Sequence, residues 1–235
     1  MPRLSTIGIS ALAAIILPMA GLLAIARMED WSFNWTTCLP LGFYEKEPAP
    51  HPALKDGDMV EDEKEPAPHP ALKDGDMVEV CPSTRNPLHL SFVGFPAFQK
   101  AVPAEDNPAM LQAVRGLWLL HEPHGPCTNS LMPFAKIVAA TAGQFVRITP
   151  QGVYANGDLL PNSRVVDQVD GISVIHLPYG EYRIPKGYFW DYAPGNFAFT
   201  SAYYGPVPLS HILARLHPVL VIPGSQHWYH PETKG

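Results

Sequence analysis

Clusters of basic residues are absent from this chain. Its 16 Lys and Arg residues are scattered among 235 positions and are outnumbered by 22 Asp and Glu residues, which gives a formal net charge of -6. A nucleic-acid-binding surface needs positive charge concentrated along the phosphate backbone. The composition therefore argues against a nucleic acid as partner.

Cysteine is also scarce, with three residues in all. In an exported protein three cysteines allow one disulfide and one odd thiol. Cys81 and Cys127 each stand next to a proline in loop-like sequence, which suits a bridge that closes a long surface excursion, and Cys38 is then left over. Two unpaired thiols are the alternative, because the sequence pattern alone leaves the connectivity open.

Charged residues make up only 16% of the chain and hydrophobic residues 46%, which is typical of a globular protein with one main domain. The 27 prolines and 18 glycines disfavour long helices and favour short extended segments joined by turns. We therefore predict a mostly β body with short helices.

The N-terminus carries a long apolar run. Residues 7–26, "IGISALAAIILPMAGLLAIA", contain no charge, and a helix of this length matches the roughly 30 Å core of a bilayer. We expect an uncleaved single-pass anchor over residues 1–27, with Arg3 favouring a cytoplasmic N-terminus and an exported body. A secretory signal cleaved after the small residues Ala24–Ala26 and a buried core helix are the alternatives.

An internal repeat follows. The segment "EKEPAPHPALKDGDMVE" occurs at Glu45–Glu61 and again at Glu63–Glu79, and a further residue completes each unit, so that residues 45–80 form two 18-residue units. Two units with so little apolar sequence cannot build a solenoid. We interpret the repeat as a duplicated connection between a strand around Gly42–Glu45 and a strand around Met77–Cys81. A binding insertion is the alternative.

Further along the chain, turn and periodicity signals predict two short helices and several strands. The helices are expected over Asn107–Gly116 and around Ser210–Leu216. The strands are expected at Lys136–Ala140, Phe145–Ile148, Gly152–Ala155 with an "NGD" hairpin after it, Val174–Leu177, Tyr182–Ile184 and Tyr188–Trp190.

Residues 28–223 would form the folded body and residues 224–235 a C-terminal tail. In the tail, His227 and His230 have a spacing that suits a metal, but no third ligand accompanies them. A mobile tail is the simpler interpretation, and we expect neither a metal nor a cofactor.

Two side chains invite a chemical role. Cys38 stands 12 positions after the apolar run, so its thiol would be held near the bilayer surface, where membrane-tethered substrates arrive. Lys136 stands between "PFA" and "IVAA"; burial disfavours an ammonium, which makes the neutral amine available as a base. The alternative is that Lys136 extends to solvent from a strand edge.

The order of motifs adds a family resemblance. "NWTTCLPLGFY" resembles a nucleophile box of Asn, Thr, Ser, Pro, Gly and Tyr, and it is followed by "KDGDMVEVCP", "RGLWLL", "PFAKIVAATAGQ", "GVYANGDLLPNS" and "YYGPVPLSHI". In this order the chain resembles the signal peptidase superfamily, most closely its TraF-like branch, which processes pilin precursors in conjugative transfer. The resemblance covers nearly the whole chain and requires only one copy of the repeated unit.

Several residue roles follow from this resemblance. It implies a signal-peptidase-like β body with Cys38 at the serine nucleophile position and Lys136 at the general-base position. Thr36 matches a residue whose hydroxyl helps the nucleophile's own N–H to bind the oxyanion, and Pro40 and Gly42 would shape the turn.

The resemblance also implies a Cys81–Cys127 disulfide. It further implies a catalytic body on the periplasmic side of the inner membrane, a pilin-like precursor as substrate, and association with the conjugative transfer apparatus.

Two departures bear on activity. The nucleophile position holds Cys38 rather than serine, and "AFTSAYYGP" holds Thr200 and Ala202 where the family has an aspartate and an arginine. A thiol beside a cation is a competent nucleophile. The sequence therefore predicts a peptidase with a Cys/Lys dyad, which in some relatives also cyclises its product. The alternative is an inactive homologue that binds pilin or scaffolds the transfer apparatus.

Overall fold

The computed structural model describes residues 6–29, 31–36, 38–49, 71–81, 122–127, 130–169, 171–173, 176–195 and 198–225. The chain begins with helix α1 (Thr6–Met28), which contains Pro18. Apolar side chains from its middle to its C-terminal end are exposed, with Leu17 at 70% and Met28 at 83% of their full accessible surface.

In the part of the chain that the structure describes, no helix combines the length and the apolar character that a membrane crossing needs. The anchor over residues 1–27 stays a prediction from the sequence.

In its described residues, the body consists of short strands and two short helical turns. The strands are β1 (Ser32–Asn34), β2 (Gly42–Pro48), β3 (Met77–Val80), β4 (Phe134–Ala140), β5 (Phe145–Thr149), β6 (Gly152–Ala155), β7 (Asp158–Leu159), β8 (Gln168–Val169), β9 (Ile172–Ser173), β10 (Gly180–Arg183), β11 (Tyr188–Tyr192), β12 (Val207–Pro208) and β13 (Ile212–Val221). Helix α2 (Ser201–Tyr204) follows β11, and a 3₁₀ turn (Leu209–His211) precedes β13.

The strands form antiparallel sheets. The main sheet has the order β1-β2-β13-β3-β4-β11-β12, and a second sheet has the order β10-β5-β6-β7. Strands β8 and β9 pair separately. The mostly β architecture expected from the sequence is confirmed.

The last strand, β13, lies in the middle of the main sheet between β2 and β3. The sequence predicted a short helix around Ser210–Leu216, and this prediction is wrong. Ile212, Ala214 and Leu216 alternate with more exposed residues, and this period of two lets one face of a strand enter the core while β2 and β3 satisfy its backbone. Pairing with both neighbours outweighs any local helical preference.

The other strand expectations hold with small shifts in their ends, except at Val174–Leu177. There Val174 and Ile175 lie outside the described residues, β9 is described at Ile172–Ser173, and Leu177 is buried outside a strand. The predicted hairpin is present, with Asn156 and Gly157 at positive φ between β6 and β7, as a tight two-residue turn requires. The helix predicted over Asn107–Gly116 lies outside the described residues.

The two ends of the repeat are both in the main sheet. Its first residues, Glu45–Pro48, belong to β2, and its last, Met77–Val80, form β3. The strands predicted on either side of the repeat are thereby confirmed, with β13 between them. Lys46 bonds Glu79 through both carboxylate oxygens, at 2.7 and 2.9 Å, across this arrangement.

The predicted disulfide is present. Cys81 and Cys127 are bonded with their Cα atoms 5.5 Å apart, which ties the end of β3 to the segment before β4. Cys38 is the free cysteine.

Candidate active site

The loop that carries Cys38 is organised around one amide side chain. Asn34, at the end of β1, donates from Nδ2 to the carbonyls of Thr36, Leu39 and Pro40 at 3.1, 2.9 and 3.2 Å. Its Oδ1 accepts from the Thr36 N–H at 3.1 Å and from the Thr36 hydroxyl at 2.7 Å. A single buried residue therefore satisfies several backbone groups of this turn.

Two further contacts hold the second half of this loop. The Tyr44 hydroxyl donates to the Pro40 carbonyl at 2.7 Å, and burial raises the pKa of Tyr44 to about 12, so the donor keeps its proton. The Leu41 N–H donates to Ser225 Oγ at 2.6 Å. Ser225, which the sequence assigned to the tail, is buried.

Gly42 ends the loop where the chain passes another backbone. Its φ is +149°, and a Cβ at this position would stand 2.1 Å from the Leu220 carbonyl oxygen. Only glycine combines this backbone conformation with this approach. The site-shaping positions expected at Pro40 and Gly42 thus both lie in the turn that presents Cys38.

Lys136 reaches the same place from the centre of β4. It is 1% exposed, so the alternative in which it extends to solvent does not apply. Its Nζ lies 4.0 Å from Cys38 Sγ and donates to the Phe199 carbonyl at 2.5 Å. The ring of Phe134 stands 4.7 Å from the same nitrogen. The structure thus brings together a thiol and a buried amine that are 98 positions apart in the chain.

Thr36 stands beside the nucleophile position. The Cys38 N–H points to Thr36 Oγ1 at 3.4 Å, and the Thr36 hydroxyl itself donates to Asn34. The two groups that the sequence predicted as oxyanion donors are therefore neighbours. In this resting arrangement they are turned toward protein acceptors.

Thr200 is buried one position beyond the carbonyl that accepts from Lys136. Its hydroxyl caps α2 by accepting from the Ala202 N–H at 3.4 Å. The side chain that replaces the expected aspartate thus has a local structural role.

A carboxylate that sequence reasoning missed lies behind Lys136. Asp191 of β11 is fully buried, with Oδ1 accepting from the Ser201 N–H at 2.6 Å and Oδ2 from the Tyr204 hydroxyl. Burial raises the pKa of Asp191, while the positive charge of Lys136 and these hydrogen bonds act in the opposite direction. The available signal was a lone acidic residue inside the apolar strand "YFWDY".

In the described part of the chain, no group of three or more His, Cys, Asp or Glu side chains is arranged to hold a metal ion. His227 and His230 lie outside it.

Comparison with known proteins identifies relatives of part of this chain. The conjugal transfer protein TraF of Agrobacterium tumefaciens (strain 15955) is 34% identical over 95 residues, which is 40% of this chain and 53% of the relative. Over this part of its length the chain is distantly homologous to TraF. The probable conjugal transfer protein TraF of Sinorhizobium fredii (strain NBRC 101917 / NGR234) is 32% identical over 98 residues, 41% of this chain and 50% of that protein.

The chain therefore spans about half the length of the curated relatives it matches. No family model matches it, and no solved structure matches it either.

Proposed function

We propose that this protein is a signal-peptidase-like endopeptidase that processes a pilin-like precursor for a conjugative transfer apparatus. The observation that carries this proposal is the buried Lys136 Nζ at 4.0 Å from Cys38 Sγ. A nucleophile and a base must lie close together, and distances in unliganded sites are commonly longer than in the reacting complex.

In the proposed reaction Cys38 loses its thiol proton to Lys136 Nζ as Sγ attacks the scissile carbonyl carbon. The carbonyl π electrons move to oxygen, and the oxyanion accepts from the Cys38 N–H and from the Thr36 hydroxyl, which must turn away from Asn34. Donors of this kind are each worth about 3 to 4 kcal/mol in acyl transfer.

Collapse of the intermediate breaks the peptide C–N bond, and Lys136 returns the proton to the leaving amine. The remaining thioester is resolved by water, or by an amine of the precursor to give a cyclic product, with Lys136 again taking the proton. These reaction steps require no metal or cofactor.

We further propose that α1 attaches the protein to the inner membrane with the body on the periplasmic side. Support comes from the uncharged run over residues 7–26 and from the disulfide, which suits an oxidising compartment. The position of Cys38 soon after α1 would hold the thiol near membrane-tethered precursors.

The test is cleavage of a co-expressed pilin-like precursor in membranes. The native chain should process it, while Cys38→Ala and Lys136→Ala should lower the rate by at least about 100-fold, since each removes a reacting group. Lys186→Ala removes an exposed lysine and should leave the rate unchanged. Processing that survives either of the first two variants would refute the dyad.

A second candidate is an inactive homologue that binds pilin or scaffolds the apparatus. Two observations favour it: Thr200 and Ala202 stand where an aspartate and an arginine are expected, and the Phe199 carbonyl already accepts from Lys136 at 2.5 Å. Absence of processing by the native chain, with processing restored in Cys38→Ser, would support this candidate over the first.

A further inference from the structure

A fully buried carboxylate needs an explanation that the dyad does not supply. Asp191 is 0% exposed in the middle of β11, where an ionised group without compensation is strongly disfavoured. Its two oxygens accept from the Ser201 N–H and the Tyr204 hydroxyl. Its own N–H donates to Ser201 Oγ at 2.9 Å.

The sheet register relates this carboxylate to Lys136. Asp191 is the antiparallel partner of Val138 on β4, and Val138 and Lys136 are two positions apart on the buried face of that strand. In an antiparallel pair such a diagonal neighbour lies on the same face, within reach of a long side chain. Asp191 and Lys136 therefore share one buried layer.

A chain of contacts through Phe199 and Tyr204 also links Lys136 to Asp191. Phe199, whose carbonyl accepts from Lys136, packs its ring 4.9 Å from the ring of Tyr204, which bonds Asp191. Among the described residues, the charged and titratable groups that face Asp191 are Lys136 from β4 and Tyr204 from α2. The charge of Cys38, in the loop before β2, raises the pKa of Tyr204. Burial and the neighbouring Asp191 raise the pKa of Tyr204 well above its ordinary value, so Tyr204 remains a donor.

We propose that Asp191 is a positioning residue that supplies the countercharge of Lys136, in place of the aspartate that Thr200 replaces. This inference rests on the proposed function. When Cys38 transfers its proton to Lys136, the resulting ammonium is stabilised by the Asp191 carboxylate, which stays ionised and takes no proton. The arrangement corresponds to an acidic group that orients and stabilises a catalytic base from behind.

The test uses the reaction of Cys38 with iodoacetamide across pH in the full-length protein in detergent. The other two cysteines are bonded to each other, so alkylation reports on Cys38. A negative charge opposes loss of a proton by every group near it. Asp191→Asn should therefore move the half-maximal alkylation rate to lower pH. Below both midpoints it should speed alkylation by about tenfold for each pH unit that separates them.

Three variants make the comparison specific. Tyr204→Phe removes one donor to the carboxylate and should give a smaller shift in the same direction. Thr200→Asp in the Asp191→Asn background returns a carboxylate beside Phe199, and an aspartate can still cap α2; it should reverse the shift. Asp158→Asn, at an exposed position on β7, should reproduce the native profile.

Precursor cleavage provides the second readout. Asp191→Asn should lower kcat by about tenfold or more while it makes the thiol more reactive at low pH, a combination that general unfolding cannot produce. Coincident alkylation profiles for native and Asp191→Asn would overturn the inference. The inference would also be overturned if the alkylation profile of Asp191→Asn matched that of the guanidinium-unfolded chain, because Asp191 would then have a structural role only. If the native chain cleaves nothing, the proposed function fails, while the alkylation profiles still decide the role of Asp191.

Discussion

Three hydrogen bonds join Asn34 to Thr36: Oδ1 accepts from both the N–H and the hydroxyl of Thr36, and Nδ2 donates to its carbonyl. Thr36 is therefore held in one orientation by a residue two positions earlier. Because the Cys38 N–H lies against the same hydroxyl, Asn34 sets the geometry of both proposed oxyanion donors.

Replacement of Asn34 should weaken the site more than the fold. Asn34→Ala removes the side-chain donor of the Thr36 and Leu39 carbonyls and one of the two donors of the Pro40 carbonyl, which costs about 1 to 3 kcal/mol of unfolding free energy. We expect a lower Tm and a lower kcat for precursor cleavage with a nearly unchanged KM. Asn34→Asp keeps the acceptor but turns a carboxylate toward three carbonyls, and it should be at least as harmful. Equal kcat in the native chain and both variants would contradict this role.

Gly42 should tolerate no side chain. Gly42→Ala combines positive φ with a Cβ 2.1 Å from the Leu220 carbonyl oxygen. Gly187→Ala is the matched control, since φ there is +83° and nothing lies within 4 Å of a new Cβ. The control should cost about 1 to 2 kcal/mol from backbone strain alone, and Gly42→Ala clearly more, as measured by chemical denaturation. Equal losses would show that the backbone approach at Gly42 is unimportant.

The duplicated unit offers an unusually clean deletion pair. Removal of residues 45–62 or of residues 63–80 gives two chains that differ at one position, where the first keeps Val80 and the second has Asp62 in its place. Val80 is 1% exposed in a cluster with Val78 and Phe189.

The first deletion should therefore preserve the fold, because an identical segment takes over the pairings of β2. The second places a carboxylate in the core and should lose about 3 kcal/mol or more of unfolding free energy. Similar denaturation midpoints for the two chains would argue against the placement of Val80. Loss of folding in both would show that the repeat is not a passive connection.

Asp191 should lower the free energy of unfolding by an amount that depends on pH. The pKa of Asp191 is raised by burial in the folded state, so above its ordinary value of about 4 the unfolded chain gives up this proton more readily than the folded chain. Ionisation of Asp191 thus removes stability as pH rises through the window between the two values, and the loss persists at neutral pH.

Asp191→Asn abolishes this ionisation and retains an oxygen for the Ser201 N–H. The variant should have a higher Tm than the native protein at pH 7, and the difference should disappear as pH falls below about 4. Thermal unfolding of both proteins from pH 3 to pH 7 measures it. If the Tm difference between Asp191→Asn and the native protein became more negative from pH 3 to pH 7, that result would contradict a raised pKa of Asp191.

The local strand and turn signals in this sequence were sufficient for much of the sheet. The apolar run around Lys136–Ala140 and the Asn156–Gly157 turn form what they predict, because a continuous apolar run and a positive-φ turn are both decided by neighbouring residues. The nucleophile loop was also accessible, through its resemblance to a known motif. The pairing of Cys81 with Cys127 was accessible in the same way.

The remaining features depend on contacts between distant parts of the chain. The helix expected around Ser210–Leu216 is a strand because β2 and β3 satisfy its backbone from both sides. Asp191 was missed because its closeness to Lys136 follows from the β4–β11 register, and Ser225 because its partner Leu41 is 184 positions away. None of these relationships leaves a mark in local composition.

The central position of β13 has a consequence for when the site can exist. The segment with Cys38 leads into β2, and within the described sheet β2 reaches β3 and β4 through β13, the last strand to be synthesised. A chain that emerges from N- to C-terminus therefore carries its thiol and its amine in separate pieces until β13 is available. The order of synthesis thus delays assembly of the thiol–amine pair until β13 has emerged.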